Sequence, residues 1–281
     1  MLASPAVTRP RLPAYLLLCL VLLAVGCGGG DAPAGGADGR VLFGRPDAST
    51  GLDESRCRPE RTGPGIETFV APVYTAGEIA ALRSRTLVDP PAVLPASPYD
   101  DPALVPADTG GVCAVLAEPG VPGGYRLQTF PDRAAAEAAG GVPTHAGACG
   151  TCSSLQDLAV YLGMPNLGGP VRQCALLSLS QGDQATLDCI AGLGFSAPCA
   201  QIWAFNSAHT RAACQDVCLA ALNDPNHLPD GSLNPCLTCD EEQSGPVFKA
   251  VAGRTRRNSG VPSAICRPPE EVEALLHYAY P

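Results

Sequence analysis

The pattern of apolar and polar residues divides the chain into three parts. Residues 12–25 are apolar throughout, residues 28–64 show no hydrophobic period, and regular patterns begin near residue 65. In the segment 153–163, apolar residues recur at i, i+3, i+4 and i+7, so they line one face of a predicted helix. From residue 131 onward the chain is predicted to be helical.

Local signals predict further elements between residues 66 and 130. Thr75 and Glu78 match a capping box, which predicts a helix that begins at residue 76. The segments 112–118 and 125–130 flank a turn rich in proline and glycine and are expected to pair as a hairpin. Segment 67–74 is compatible with a short strand. Other helices are predicted over 131–141, 170–179, 184–192, 197–206, 209–222, 246–252 and 269–279. Together these elements predict an α+β fold that is mostly α.

The first 26 residues have the pattern of a secretory signal peptide. Arg9 and Arg11 precede the apolar run, and the leader contains no acidic residue. As a helix the run would extend only about 21 Å, whereas the hydrocarbon core of a bilayer is roughly 30 Å thick. A basic start, a short apolar run and small residues after it predict export and cleavage rather than a stable transmembrane anchor.

The end of this run, Leu23-Ala24-Val25-Gly26-Cys27, resembles the lipobox of bacterial lipoproteins. In that family the cysteine thiol receives diacylglycerol and becomes the new N-terminus. Here Ala24 stands where the family usually has leucine, and Ala24-Val25-Gly26 also fits ordinary signal cleavage, which would release a soluble periplasmic or secreted protein. The glycine-rich tract after Cys27 favours a tether. The resemblance, which covers only the leader, implies an envelope protein anchored to the inner or outer membrane by lipid on Cys27.

The predicted organisation is therefore a signal peptide over residues 1–26, a lipid-anchored flexible tether over 27–64, and a single cysteine-rich domain stapled by disulfides over 65–281. The formal net charge is −9, and loss of the two leader arginines makes it −9 − 2 = −11. So acidic a chain is unsuited to nucleic acid or to anionic lipid head groups. The hydrophobic share is 46% and the aromatic share 5%, which predicts a mostly aliphatic core.

Cysteines are the most informative residues of the domain. Of the 14 cysteines, 12 follow Cys27, and they allow about ten thousand pairings, so the sequence leaves the connectivity open. Outside the cytoplasm disulfides persist, and up to six structural disulfides are expected. Cys214 and Cys218 share one face of a predicted helix, so each is expected to bridge to another segment. Cys57 is expected to staple the N-terminal segment to the domain.

The sharpest candidate for chemistry is His145 followed by the motif Cys149-Gly-Thr-Cys152. At a helix N-terminus, unpaired amides and the helix dipole lower the pKa of a thiol, and His145 would add positive charge. The motif resembles the active loop of thioredoxin-like oxidoreductases, which implies that Cys149, Cys152 and His145 are catalytic. Those enzymes place the motif after a core strand and usually behind a tryptophan. Here Gly, His and Ala precede it, and no βαβ pattern is visible.

Two other hypotheses use the same cysteines. The motif also resembles that of papain-like cysteine proteases, which implies Cys152 as nucleophile and His209 or His227 as base, although Ser153 stands where that family has tryptophan. Alternatively, two CxxC pairs would bind zinc through Cys149, Cys152, Cys236 and Cys239. The pairs lie 84 residues apart (236 − 152), and exported thiols usually oxidise, so no metal ligand and no cofactor is assigned.

One basic cluster interrupts the acidic sequence, at Arg254, Arg256, Arg257 and Asn258. Arginine forks bind carboxylates and phosphates, so these residues are the candidate site for a small anionic ligand. The alternative is that the cluster pairs internally with the acidic residues 240–242. The sequence contains no GxSxG, HExxH, P-loop or Rossmann glycine motif in the domain.

These observations predict an envelope lipoprotein that acts as a binding or structural module. Its expected partners are the membrane, through the lipid, and a small anionic ligand or another envelope protein. The alternatives are a cysteine enzyme, above all a thiol–disulfide oxidoreductase, and a metal-binding protein. The hypotheses differ in the state of the cysteines, because the first requires stable disulfides and the others require reactive or free thiols.

Overall fold

Helix caps set several of the helix boundaries in the computed structural model, which describes residues 40–281. Helix α1 (Ala76–Arg83) begins with the predicted capping box: the Thr75 amide donates to Glu78 Oε2 at 2.7 Å, and the Glu78 amide donates to Thr75 Oγ1 at 3.2 Å. At the next long helix, Leu155–Gly163, the hydroxyl of Ser154 is the cap and accepts from the Asp157 amide at 3.0 Å. The remaining helices are α2 (Arg133–Ala138), α3 (Leu155–Gly163), α4 (Gly168–Gln181), α5 (Asp183–Gly192), α6 (Ala197–Ala220), α7 (Pro235–Gln243) and α8 (Gly245–Ala252). The two helices predicted over 197–222 are thus one continuous helix.

A four-stranded sheet packs beside these helices. The predicted hairpin is confirmed: β6 (Val112–Ala117) and β7 (Gly124–Phe130) pair antiparallel. The short strand β5 (Thr86–Leu87) pairs with β7, and β8 (Val142–Ala146) pairs with the other side of β6, so the order is β5-β7-β6-β8. Strand β8 lies in the part of the chain predicted to be helical. It contains Pro143, which a strand at the edge of a sheet tolerates.

The segment before residue 65 is packed against the rest of the protein. Strand β1 (Leu42–Phe43) pairs with β2 (Cys57–Arg58), and β3 (Glu60–Arg61) pairs with β4 (Phe69–Val70). Phe43 is buried and stacks on Phe69 with 6.2 Å between ring centroids. Residues 42–61, which the sequence predicts as part of the tether, are held in the structure by long-range contacts that leave no local period. The signal peptide, Cys27 and the tether before residue 40 lie outside the described residues.

The main core lies between α3, α6 and the sheet. Leu155, Leu158 and Val160 of α3 are fully buried against Ile190 and Ile202. This composition agrees with the aliphatic core predicted from the sequence. The sequence's one tryptophan, Trp203, packs edge-on against Phe248, with 4.8 Å between ring centroids. Among residues 40–281, no helix has the length and apolar character needed to cross a membrane.

The C-terminal residues do not form the helix predicted over 269–279. Only a single 3-10 turn, Pro269–Glu271, is present, and residues 272–281 run as an irregular segment that we call the C-terminal strap. Leu275, His277 and Tyr280 are buried in it. Pro268 and Pro269 precede the strap, and its buried side chains make tertiary hydrogen bonds, so the local helical pattern does not decide its conformation.

Six disulfides use every cysteine in the described part of the chain. Their pairs are Cys57–Cys266, Cys113–Cys149, Cys152–Cys199, Cys174–Cys189, Cys214–Cys239 and Cys218–Cys236. The predicted disulfide-rich character is confirmed, as are the expected bridges of Cys57, Cys214 and Cys218 to other segments. The described residues all belong to one compact unit of mixed helix and sheet.

We expect the longest disulfide loop to contribute most to stability. Cys57–Cys266 spans 209 residues and Cys174–Cys189 spans 15. On the chain-entropy model, replacing both members by alanine lowers the free energy of unfolding by about 5 kcal/mol for the first pair and about 3 kcal/mol for the second. Urea unfolding followed by the fluorescence of Trp203 measures both losses. Equal losses would show that loop entropy does not govern the stability of this protein.

Candidate functional site

The cysteine loop and the arginine cluster, predicted as two separate sites, lie against each other. The Thr151 amide donates to Val251 O and the Cys152 amide donates to Ala252 O, each at 2.9 Å. The approach needs glycine, because a Cβ on Gly150 would lie 2.4 Å from Val251 O. The two segments therefore form one structural unit below the end of the sheet.

Arg254 is the centre of this unit and is fully buried. Its Nε donates to Cys152 O at 3.1 Å, and its Nη1 donates to Thr144 O at 2.9 Å and to Ser259 Oγ at 3.3 Å. Its Nη2 donates to Thr144 Oγ1 at 2.7 Å and to Ser153 O at 2.9 Å. All five guanidinium donors are thus paired with neutral oxygens. No donor of Arg254 is left for a ligand.

Arg256 and Asn258 also point into the protein. Arg256 donates to the carbonyls of Tyr161 and Met164, and its guanidinium lies 5.2 Å from the centroid of the Tyr161 ring. Burial lowers the pKa of Arg256 to about 10. Asn258 Nδ2 donates to Ala146 O at 2.7 Å and so fastens the loop that leads to the cysteine motif. The donors of these residues and of Arg254, which are predicted to face an anionic ligand, are directed to carbonyl and hydroxyl oxygens of the protein itself.

The cysteines of the CxxC motif belong to two different disulfides. Cys149 is bonded to Cys113 of β6, and Cys152 is bonded to Cys199 of α6. The reversible Cys149–Cys152 disulfide of the oxidoreductase hypothesis is therefore not formed. The protease hypothesis requires Cys152 as a free thiol, but here Cys152 is in a disulfide. Cys236 and Cys239 are likewise in separate disulfides. No cluster of three possible metal ligands occurs in residues 40–281.

His145 does not supply the predicted positive charge beside Cys149. It is fully buried, with Nε2 2.7 Å from Ser153 Oγ and Nδ1 2.9 Å from Ala146 O. Burial, together with the charge of Arg254, lowers the pKa of His145 well below its usual value. The ring is thus neutral, and because Ala146 O only accepts, Nδ1 carries the proton. His145 and Ser153 are within hydrogen-bond distance, but both are shielded from solvent.

Arg257 differs from its neighbours because it borders a surface cleft of about 340 Å³. The apolar residues that line this cleft include Leu42, Leu233 and Pro268, and the cations that line it are Arg257 and Arg267. The remaining charged residues that line it are Glu241, Glu242 and Glu271. We call it the Glu241 cleft.

Glu241 holds the two arginines of the cleft in place. Its carboxylate accepts from Arg257 Nη2 at 2.7 Å, from Arg267 Nη2 at 2.5 Å and from Lys249 Nζ at 2.8 Å. Burial opposes ionisation of Glu241, but Arg267, Lys249 and Arg257 outweigh it and lower its pKa to about 2. The alternative prediction, internal pairing of the cluster with residues 240–242, is confirmed for Arg257. The sequence did not single out Arg267, which lies ten residues beyond Arg257 (267 − 257).

Comparison with known proteins matches part of the chain to a family model. A model described as "Family of unknown function (DUF8771)" matches residues 183–275. That segment begins at α5, ends inside the C-terminal strap, and contains every residue lining the Glu241 cleft except Leu42. No curated protein and no solved structure matches the chain.

We expect Arg254→Lys to destabilise the protein although it keeps the charge. A lysine cannot reproduce five donors in one plane, so acceptors from three segments lose their partners while a buried charge remains. The free energy of unfolding should fall by about 3 kcal/mol. Arg126→Lys is the control: Arg126 is exposed on β7, and its replacement should change stability by less than about 0.5 kcal/mol. An equally small change for Arg254→Lys in urea unfolding would contradict a structural role for the five bonds.

Proposed function

We propose that this protein is an exported lipoprotein and that its disulfide-stapled domain acts outside the cytoplasm as a ligand-binding module. The observation that carries the proposal is the pairing of all twelve cysteines between Cys57 and Cys266. Cytoplasmic thiols are kept reduced, so this density of disulfides supports an oxidising compartment. It also leaves the CxxC motif a structural role.

The same pairing supports lipid on Cys27. Cleavage after residue 26 removes Cys19, so Cys27 is left as the single cysteine without a disulfide partner in the predicted mature chain. An unpaired thiol is a liability in an oxidising compartment, and acylation removes it. We propose that the segment after Cys27 tethers the protein to the membrane and that the chain beyond it folds as one α-rich α+β domain.

We propose the Glu241 cleft as the binding site. Within the described residues, the guanidinium of Arg267 contacts one acceptor, Glu241, so its other donors are available at the cleft. Arg257 also has spare donors beyond Glu241 and Glu271. A planar carboxylate or a phosphate oxygen fits two such forks.

The charges around the cleft restrict the class of ligand. Arg257 and Arg267 line the cleft together with Glu241, Glu242 and Glu271, and Lys249, which pairs with Glu241 from outside the lining, brings the count to three charges of each sign. Because the positive and negative charges are equal in number, a polyanion would gain no net electrostatic attraction. A small molecule with one anionic group and an apolar part matches both the arginines and the apolar lining residues.

Mass spectrometry of protein purified from its native envelope tests the anchor and the cysteine state together. We expect an acylated N-terminus at Cys27 and no reaction with iodoacetamide before reduction. The Cys27→Ser variant, which cannot be acylated, is the control and should leave the membrane fraction. An unmodified Cys27 would contradict the lipoprotein proposal. Selective opening of the Cys149 and Cys152 disulfides by mild reductant would favour the oxidoreductase hypothesis instead.

Calorimetric titration of the detergent-solubilised mature protein tests the cleft. The probes are acetate, butyrate, inorganic phosphate and citrate, and we expect the singly charged, partly apolar butyrate to bind more tightly than citrate. Arg267→Gln should weaken this binding about tenfold or more, because it removes charge-assisted hydrogen bonds. Arg126→Gln, which changes charge equally on β7, should not. Equal affinity of both variants, or no binding of any probe at millimolar concentration, would refute this site.

A further inference from the structure

The C-terminal strap is fixed to the domain by a chain of hydrogen bonds that passes through His277. We propose that the strap, residues 272–281, is a latch that is closed at neutral pH and opens in acid through protonation of His277. The inference concerns regulation and does not depend on the lipid anchor or on the ligand of the Glu241 cleft.

Which atom donates in each of these hydrogen bonds follows from the acceptors at the end of the series. His277 Nε2 lies 2.8 Å from Ser259 O, which only accepts, so Nε2 carries the ring proton. Nδ1 must then accept from Tyr280 Oη at 2.7 Å. Tyr280 Oη lies 3.0 Å from Thr144 Oγ1, which already accepts from Arg254 Nη2 at 2.7 Å. In this chain of hydrogen bonds the Tyr280 hydroxyl donates to His277 Nδ1, and the Thr144 hydroxyl donates to Tyr280 Oη. This arrangement of donors and acceptors requires a neutral His277.

Protonation of the His277 ring is unfavourable while the latch is closed. Nδ1 would become a donor facing Tyr280, and the hydroxyls of Tyr280 and Thr144 would have to reverse. The titratable groups around the ring are the buried cation Arg254, the neutral His145, and the phenols of Tyr74 and Tyr280. Within residues 40–281, no carboxylate hydrogen-bonds to the ring. Protonation would thus place a second buried cation in the field of Arg254 without a counter-ion.

The linkage has a defined sign. Burial, and then the charge of Arg254, lower the pKa of His277 to about 3, whereas the ring of a released strap has the ordinary value of about 6.5. The closed latch is therefore fully favoured above pH 6.5 and loses stability as the pH falls toward 3. Over that window the ratio of open to closed latch rises about tenfold per pH unit.

The strap is built to open without unfolding the domain. The last cysteine is Cys266, so no disulfide fixes residues 272–281, whereas six disulfides hold the chain before them. The strap makes no helix and no strand, and few backbone bonds tie it, such as the Glu273 amide to Arg257 O at 2.9 Å and the Arg85 guanidinium to Tyr280 O at 3.1 Å. Its release would uncover the Thr144 hydroxyl beside Arg254.

Hydrogen exchange of the full mature protein between pH 7 and 4.5 tests the latch. The reporter is the His277 amide, which donates to Tyr74 Oη at 2.9 Å, and the reference is the set of amides in the central strand β6. After correction for intrinsic rates, we expect the protection of the His277 amide to fall about tenfold per pH unit below 6.5. The β6 amides should keep their protection.

Two variants separate the latch from general acid sensitivity. His277→Gln keeps a donor and an acceptor but cannot be protonated, so the pH dependence of strap protection should vanish. Tyr280→Phe removes one link of the chain, so the strap should open more at every pH while the slope remains. The latch is refuted if wild-type strap protection does not change with pH, or if β6 loses protection in parallel. Retention of the slope in folded His277→Gln would also refute it, and the wild-type comparison decides the matter should that variant fail to fold.

Discussion

The structure depends on one buried cation, Arg254. A guanidinium has five donors in a fixed plane, so satisfying all five sets the positions of acceptors from strand β8, from the loop before α3 and from the turn at Ser259. Removing a charge from water costs several kcal/mol unless its hydrogen bonds are complete. Partial assembly would leave that cost uncompensated. The three segments are therefore expected to come together as one unit rather than one after another.

Disulfides surround this unit and use both cysteines of its CxxC motif. Cys113–Cys149 fixes one end of the loop to the sheet, and Cys152–Cys199 fixes the other end to α6. At the second of these ends, Cys152 and Ser153 supply carbonyl oxygens to Arg254, and Ser153 supplies a hydroxyl to His145. The CxxC spacing that resembles a redox motif is here the spacing needed to bring two chain neighbours to two different walls of the core.

Local signals in the sequence predicted local structure well. The capping box at Thr75, the hairpin of β6 and β7, and most helices of the second half follow from patterns within a few residues. The elements that the sequence did not predict depend on distant residues. Strand β8, the packing of residues 42–61 and the strap are decided by partners far along the chain, such as Phe69 for Phe43 and Ser259 for His277. Tertiary contacts of this kind override local propensity.

The candidate site divides in the same way. The arginine cluster was visible as a run of charges, but which arginine reaches the surface depends on the turn after α8, where Arg254 and Arg256 turn inward and Arg257 outward. Arg267 joins Arg257 only through their common partner Glu241. A shared counter-ion leaves no periodic or motif signature, so the cleft emerges only from the folded chain.

The Cys57–Cys266 bond gives the protein an unusual response to cleavage. A single proteolytic cut anywhere between these residues would leave both fragments covalently joined, because the bond closes a ring around nearly all the described chain. Only cuts before Cys57 or after Cys266 shed a piece. Cleavage in the first region would free the domain from any anchor, and cleavage in the second would remove the strap. The covalent connectivity alone thus confines productive proteolysis to the two ends of the protein.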